Sequence, residues 1–429
     1  MMEQLDRKLL QISNVQGVTH AKVLTLPQPL RRIIHRLMKK GRQGQMSLTE
    51  LAQGLQTNED KGQQIADLLI EKGYLYGVEH PETGELVYGV RFGQKRGRDL
   101  PLDLRNALQS LKPIQLIEVK SDLGAGTRGS DLGSDALKMA SWQLNRQLFA
   151  NYPSREISSQ QYLPSLAKET PFAKGITAIY EVYQQISEAV KNALQQNALP
   201  VVISGDHSTA GGTIAGIKIA YPESRLGVIW IDAHADIHTP FTTPSGNMHG
   251  MPVATALAED NLASRINKLD EKTITYWNKI KQLGKIVPKL NYQDLVYIAV
   301  RDTEPQEDYL IAQHNIRNFT TTEVRDKGIN QVVQEILERL QDCDRLYISF
   351  DVDSMDPAIV SDGTGTPVAG GLTDTEASQL ISRLIGQGKV CCFEICEINP
   401  VLDGRGNRMA QSAFGILENA TSIMSSVSN

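Results

Sequence analysis

Six short runs, PIQLIEV, LPVVISG, LGVIWID, LVYIAVR, RLYISFDVD and VCCFEICEINP, constrain this chain more than any other feature. Each is nearly uniformly apolar and rich in β-branched residues, and each ends in polar or charged ones. Strands that are apolar on both faces are buried on both faces, as in parallel sheets covered by helices. Helical segments separate the runs, so the expected architecture from about Leu102 onward is a three-layer α/β/α domain with a mostly parallel sheet. Ligands of such sheets bind beyond the carboxyl ends of the strands, where the polar endings fall.

The chain has 429 residues, more than one hydrophobic core of roughly 300 residues usually serves, so a second, smaller domain is expected. A formal net charge of -5 excludes a protein that is basic throughout and leaves room for a local basic patch. The four cysteines, Cys343, Cys391, Cys392 and Cys396, lack the paired spacing of a zinc knuckle and read as buried free thiols of a reducing compartment. MMEQLDRKLL lacks the apolar core of a secretory signal, and no apolar segment approaches about 20 residues, so a cytoplasmic protein without a membrane span is expected.

Before the strand-rich region the pattern differs. RRIIHRLMKKG is amphipathic at helical spacing, Ser47 and Glu50 form a capping-box signature, and KGQQIADLLIEKG reads as a further helix stopped by Gly73. YLYGVEH and ELVYGVRF, joined by PETG, read as a hairpin. The expected organisation is a tail at 1–30, a winged-helix-like α+β domain at 31–98, a linker at 99–112 reached through the basic, glycine-rich GQKRGRDLP, and the large domain at 113–429. Asp67 and Glu71 on the presumed recognition helix would repel phosphate, so protein contact is the favoured role of the small domain over nucleic-acid binding.

Four of the eight histidines, His207, His234, His238 and His249, fall within about forty residues. In IDAHAD, Asp232, His234 and Asp236 recur at period two, which puts them on one face of an extended backbone. Asp351 and Asp353 in SFDVDSMDP repeat the device, and GDHS ends another strand with His207. Two imidazoles and four carboxylates at one sheet edge repel one another unless cations neutralise them, and two divalent metals would. Oxygen with some imidazole suits Mn²⁺, with Fe²⁺, Co²⁺ and Ni²⁺ as alternatives. A metal pair about 3.5–4 Å apart activates a water for hydrolysis at neutral pH.

The motifs GDHS, DAHADIHTPFTTPSGNMHG, SFDVDSMDP and EINP, together with GTRGSDLGSDAL, resemble the ureohydrolase family, which includes arginases and agmatinases, from about Pro113 to the C-terminus. The resemblance implies an arginase-like fold and a homo-oligomer, a trimer or hexamer. It implies one metal on His207, Asp232, Asp236 and Asp351 and a second on Asp232, His234, Asp351 and Asp353. The implied chemistry is hydrolysis of a guanidinium group to urea and an amine, with Asp236 handling the proton of the attacking water, Glu397 pairing with the guanidinium and His249 shuttling protons.

The loop after DAHAD is closer to arginases, which implies L-arginine as substrate and L-ornithine and urea as products. Thr243, Ser245 and Asn247 match positions that receive the substrate carboxylate. Glu304 stands where arginases carry an aspartate that meets the α-amino group, with Asp302 and Glu307 beside it, and Thr366 lies on the rim after a segment one residue longer than usual. His238 replaces an asparagine that contacts the carboxylate, and a neutral imidazole still has one donor to offer. Agmatine, guanidinobutyrate, other guanidino acids and free guanidine are the alternatives. A metabolite-sensing, DNA-binding regulator on this fold is the other class of function, and the presence of every matched metal position favours an enzyme.

Overall fold

Successive side chains along each central strand enter two different cores. The computed structural model describes residues 18, 23, 26, 28–39, 44–55, 57–80, 84–91, 112–158 and 170–427. Most of the tail, the GQKRGRDLP linker and the hairpin turn at 81–83 lie outside the described residues. The chain divides into two units, Met1–Ser110 and Leu111–Asn429.

In the first unit the strands β1 (Gln45–Ser47), β2 (Leu75–Glu79) and β3 (Leu86–Val90) form an antiparallel sheet in the order β1-β3-β2. The helices are Gln28–Lys39, Leu48–Leu55 and Glu59–Glu71. Ser47 and Glu50 exchange side-chain-to-backbone bonds of 3.2 Å in both directions, which is the expected capping box. The hairpin is present as β2 and β3. The strand β1 was not expected, because three residues are too few to display a period.

The second unit holds an eight-stranded sheet: β4 (Ile114–Lys120), β5 (Ser154–Ser158), β6 (Leu199–Ser204), β7 (Leu226–Ile231), β8 (Leu295–Ile298), β9 (Arg317–Phe319), β10 (Arg345–Asp351) and β11 (Val390–Cys396). Their order is β5-β4-β6-β11-β10-β7-β8-β9, and every pair is parallel. The six apolar runs are β4, β6, β7, β8, β10 and β11. The edge strands β5 and β9 escaped the sequence pattern because edges are partly solvated and need no apolar run.

Ile229, Ile231, Ile348, Phe350 and Ile395 face one core, under helices Gly133–Gln143, Ile329–Arg339, Asp374–Ile385 and Arg408–Met424. Val228, Trp230, Tyr347 and Cys392 face the other, under Ile176–Gln195, Ala210–Ala220 and Glu271–Lys281. Burying each large apolar side chain contributes about 1.5–3 kcal/mol, and the two faces together pin the strand register that the site depends on. All four cysteines are free and buried, and no helix among the described residues is long and apolar enough to cross a membrane.

Candidate metal centre and substrate pocket

The neighbouring strands β6, β11, β10 and β7 end on one edge, and the chain beyond each carries site residues. After β6, Asp206 accepts from the Ser208 and Gly124 amides at 2.8 and 3.0 Å, shaping the turn that starts at His207. After β7 come Asp232, His234 and Asp236. Strand β10 ends in Asp351, whose Oδ1 accepts from the Asp353 amide at 2.8 Å and turns Asp353 back into the site. Strand β11 hands over to Glu397. Asp236 and Glu397 both adopt left-handed backbone conformations, φ 51° and 63°. Such conformations cost of order 1 kcal/mol or more in residues with a Cβ and persist where surrounding packing enforces them.

The six expected ligands converge in two overlapping groups: His207, Asp232 and Asp236, and Asp232, His234 and Asp353, with Asp351 grouped with His207. His207 Nδ1 lies 3.0 Å from Asp232, 3.1 Å from Asp236 and 3.2 Å from Asp351. His234 Nδ1 lies 3.0 Å from Asp353 and 3.5 Å from Asp232. His207 Nδ1 makes no well-directed hydrogen bond although it is buried. One nitrogen with at most one proton cannot satisfy three acids, whereas a cation among them would bind all four atoms. The residues present therefore fit a metal centre with nitrogen and oxygen donors. Cys396, read from sequence only as a buried thiol, stands next to this group, its Sγ 3.8 Å from Asp351 Oδ2.

Without cations the site must hold protons. Burial and the neighbouring carboxylates push Asp351 and Asp353 upward, and burial with the Asp232 charge raises Asp236 to about 6. Burial opposes protonation of His207 and His234, yet the acids around them raise both well above the ordinary imidazole value. Asp232 moves the other way: burial would raise it, but His207 and His234 hold it strongly ionised.

A cavity of about 290 Å³ opens onto the centre, lined by the ligands other than Asp232 and also by His238, Thr243, Ser245, Asn247, His249, Asp302, Glu304, Glu307 and Thr366. Asp232 lies beneath, fully buried. Glu397 is outside the lining: its Oε1 accepts from the His207 amide at 2.9 Å and lies 3.5 Å from His249 Nδ1. Burial lowers the His249 pKa and its contact with Glu397 raises it, leaving it at about 9.

Two residues of the cavity lining are already engaged by protein partners. His238 Nε2 lies 2.6 Å from Glu304 and its Nδ1 lies 3.1 Å from the Thr242 hydroxyl, so neither nitrogen is left for a substrate. Thr366, which lines the cavity as expected of a rim residue, also donates its hydroxyl to Asp353 at 3.0 Å. Thr243 and Ser245 accept from the Gly246 and Asn247 amides, which shapes their loop. Gly246 has φ 77°, and a Cβ there would fall 1.9 Å from the Pro171 carbonyl, so only glycine closes that turn. Asn247 Oδ1 accepts from Lys174 Nζ at 3.1 Å.

Two residues of the centre went unread in the sequence. Trp230 stacks on the His207 ring with centroids 4.1 Å apart and donates from Nε1 to Asp232 at 2.9 Å. Ser349 Oγ lies 2.8 Å from His207 Nε2. Both sit two residues before a ligand on the same strand face, and that period-two register was the available signal.

The family model described as Arginase family matches residues 112–422. The arginase of Bacillus caldovelox is 33% identical over 314 residues, 72% of this chain and 97% of that protein. Arginase-1 of Rattus norvegicus is 32% identical over 295 residues, 68% of this chain and 86% of that protein. The solved Bacillus caldovelox arginase superposes with a TM-score of 0.61 at 32% identity, covering 72% of this chain and 98% of the other. The family-model match takes in all eight strands of the large sheet and every candidate ligand, and the chain belongs to the Arginase family, the ureohydrolases.

Proposed function

We propose that the protein is a dinuclear-metal hydrolase that converts L-arginine to L-ornithine and urea. The observation that carries this reading is the convergence of two imidazoles and four carboxylates around an orphaned His207 Nδ1 at the floor of a polar cavity. His207, Asp232, Asp236 and Asp351 would hold one cation, and Asp232, His234, Asp351 and Asp353 the other, with Mn²⁺ the metal best suited to these donors. Such a pair, when bound, would supply a water made acidic enough to act as a nucleophile at neutral pH.

The protein's own groups supply the rest. Asp236 lines the cavity beside His207, where its carboxylate takes a proton from the attacking water and returns it to the leaving amine. Glu397 contributes a buried carboxylate behind His249, and an entering guanidinium competes with His249 for it through charge-assisted bonds. His249, displaced from that contact, carries protons between cavity and solvent. Thr243, Ser245 and Asn247 offer polar contacts to the substrate carboxylate, and Asp302, Glu304 and Glu307 offer negative charge to the α-ammonium. Family resemblance further supports a homo-oligomer, which light scattering would measure, and the buried thiols fit the reducing cytoplasm.

A second reading is carried by the His238–Glu304 contact of 2.6 Å. That pair consumes two groups meant for the amino-acid end of arginine, which favours a guanidino substrate with a different tail, such as agmatine or guanidinobutyrate. Urea release by the full-length, metal-reconstituted protein across arginine, agmatine, guanidinobutyrate, guanidinopropionate and guanidine separates the two. Arginine as the best substrate by kcat/KM supports the first reading. No urea from any of them would sink both.

A further inference from the structure

A histidine that binds a metal through one ring nitrogen is set up by what the other nitrogen does. His207 turns Nδ1 toward Asp232, Asp236 and Asp351 and Nε2 toward the Ser349 hydroxyl at 2.8 Å. The contacts continue inward. Ser349 Oγ lies 3.1 Å from the Tyr347 hydroxyl, and Tyr347 donates to Glu394 Oε2 at 2.8 Å. Ser204 donates to Glu394 Oε1 at 2.7 Å. Ser349, Tyr347 and Glu394 are all completely buried. The register builds the chain, because Ser349 on β10 pairs with Glu394 on β11 and Tyr347 lies two residues before Ser349 on the same face.

Counting hydrogens assigns a direction to every link. A carboxylate only accepts. Tyr347 faces two acceptors, Glu394 at 2.8 Å and Ser349 at 3.1 Å, with one hydrogen to give; the carboxylate takes it as the shorter, charge-assisted partner, and the Ser349 hydroxyl then turns its own hydrogen to the Tyr347 oxygen. With its own hydrogen used, the Ser349 oxygen accepts from His207 Nε2–H, so that Nδ1, which faces the three acids, is the nitrogen that gives up its proton to a cation. Reversing the direction would return the Tyr347 hydrogen to Ser349 and strand one oxygen of Glu394, a buried acceptor, without its partner.

We propose that Glu394 is a positioning residue that acts through Tyr347 and Ser349 to fix the Nε2–H tautomer of His207, and thereby sets the affinity of the metal position His207 serves. Glu394 touches neither substrate nor ligand and leaves the position served by His234 alone. The inference rests on the reading of His207 as a metal ligand.

The test titrates metal-free, full-length protein with Mn²⁺ against a competing chelator, for the unsubstituted protein, Tyr347→Phe and Glu394→Gln. The unsubstituted protein should show two sites. Each variant should keep one at full affinity and lose roughly tenfold to a hundredfold at the other, the scale on which partners of metal-binding histidines act. In the Zn²⁺-loaded protein, ¹⁵N-histidine NMR should show the His207 Nε2 hydrogen protected, and exchanging faster in Tyr347→Phe. That variant keeps the aromatic ring, so it decides the matter even where Glu394→Gln fails to fold. Full affinity at both sites in folded Tyr347→Phe, or an equal loss at both, would overturn the inference and leave the proposed function standing. No Mn²⁺ binding by the unsubstituted protein would overturn both.

Discussion

Two clusters of histidine and acid share one cavity and solve opposite problems. Around His207, three carboxylates crowd one nitrogen at 3.0–3.2 Å with no well-directed hydrogen bond. Around His238, a single close carboxylate at 2.6 Å and one hydroxyl at 3.1 Å use both nitrogens. The first cluster is incomplete as protein alone, because buried like charges need a counter-charge. The second is a finished ion pair. The same residue types therefore leave an unbalanced cluster in one place and a satisfied contact in the other, and what separates them is the ratio of acids to donors.

The comparison breaks most visibly at Asp232, which joins both metal groups. Asp232→Asn should lower kcat/KM for every guanidino compound by about a thousandfold or more and reduce bound metal, measured by urea release and elemental analysis. Turnover at the original level would mean that the His207 cluster is not the centre of the chemistry. His238→Asn addresses the other side. Releasing Glu304 should raise the kcat/KM ratio of arginine to agmatine about tenfold while metal content stays the same. A fixed ratio would show that the ion pair does not choose the tail.

Lys289 offers a smaller, sharper contrast, as a buried cation bonded to the Lys281 carbonyl. Burial lowers its pKa to about 8 from 10.5. Between those values the unfolded chain holds a proton that the folded chain has released, so stability should rise with pH from about 8 to 10.5 and level off above. Lys289→Met should flatten that rise and shift Tm at pH 7 upward by about 2 °C, read by thermal melts across pH. An identical pH slope in the variant would place the titrating group elsewhere.

Legibility in the sequence followed burial. β4, β6, β7, β8, β10 and β11 announced themselves because burial on both faces demands continuous apolar runs, while β5 and β9 at the edges were silent. Asp232, His234 and Asp236 were readable for the same periodic reason, since alternation on an extended backbone is a local property. Trp230 and Ser349 sat on that same alternation and looked like ordinary strand residues, for nothing local distinguishes a tryptophan in a core from one stacked on His207. The roles expected of Thr366 and His238 depended on which partner each would choose among several within reach.

By itself, then, the sequence determined the parallel sheet, the strand ends that carry the ligands, and the donor types that call for divalent metal. Those follow from period and composition, which a chain displays without folding. Only the tertiary structure decided that His207 Nδ1 stands among three carboxylates without a well-directed hydrogen bond, that His238 is tied to Glu304, and that Glu394 reaches His207 through Tyr347 and Ser349. Hydrogen-bond partners are chosen among groups far apart in the chain, 190 residues for Ser204 and Glu394, and only the packed register brings those two within 3 Å.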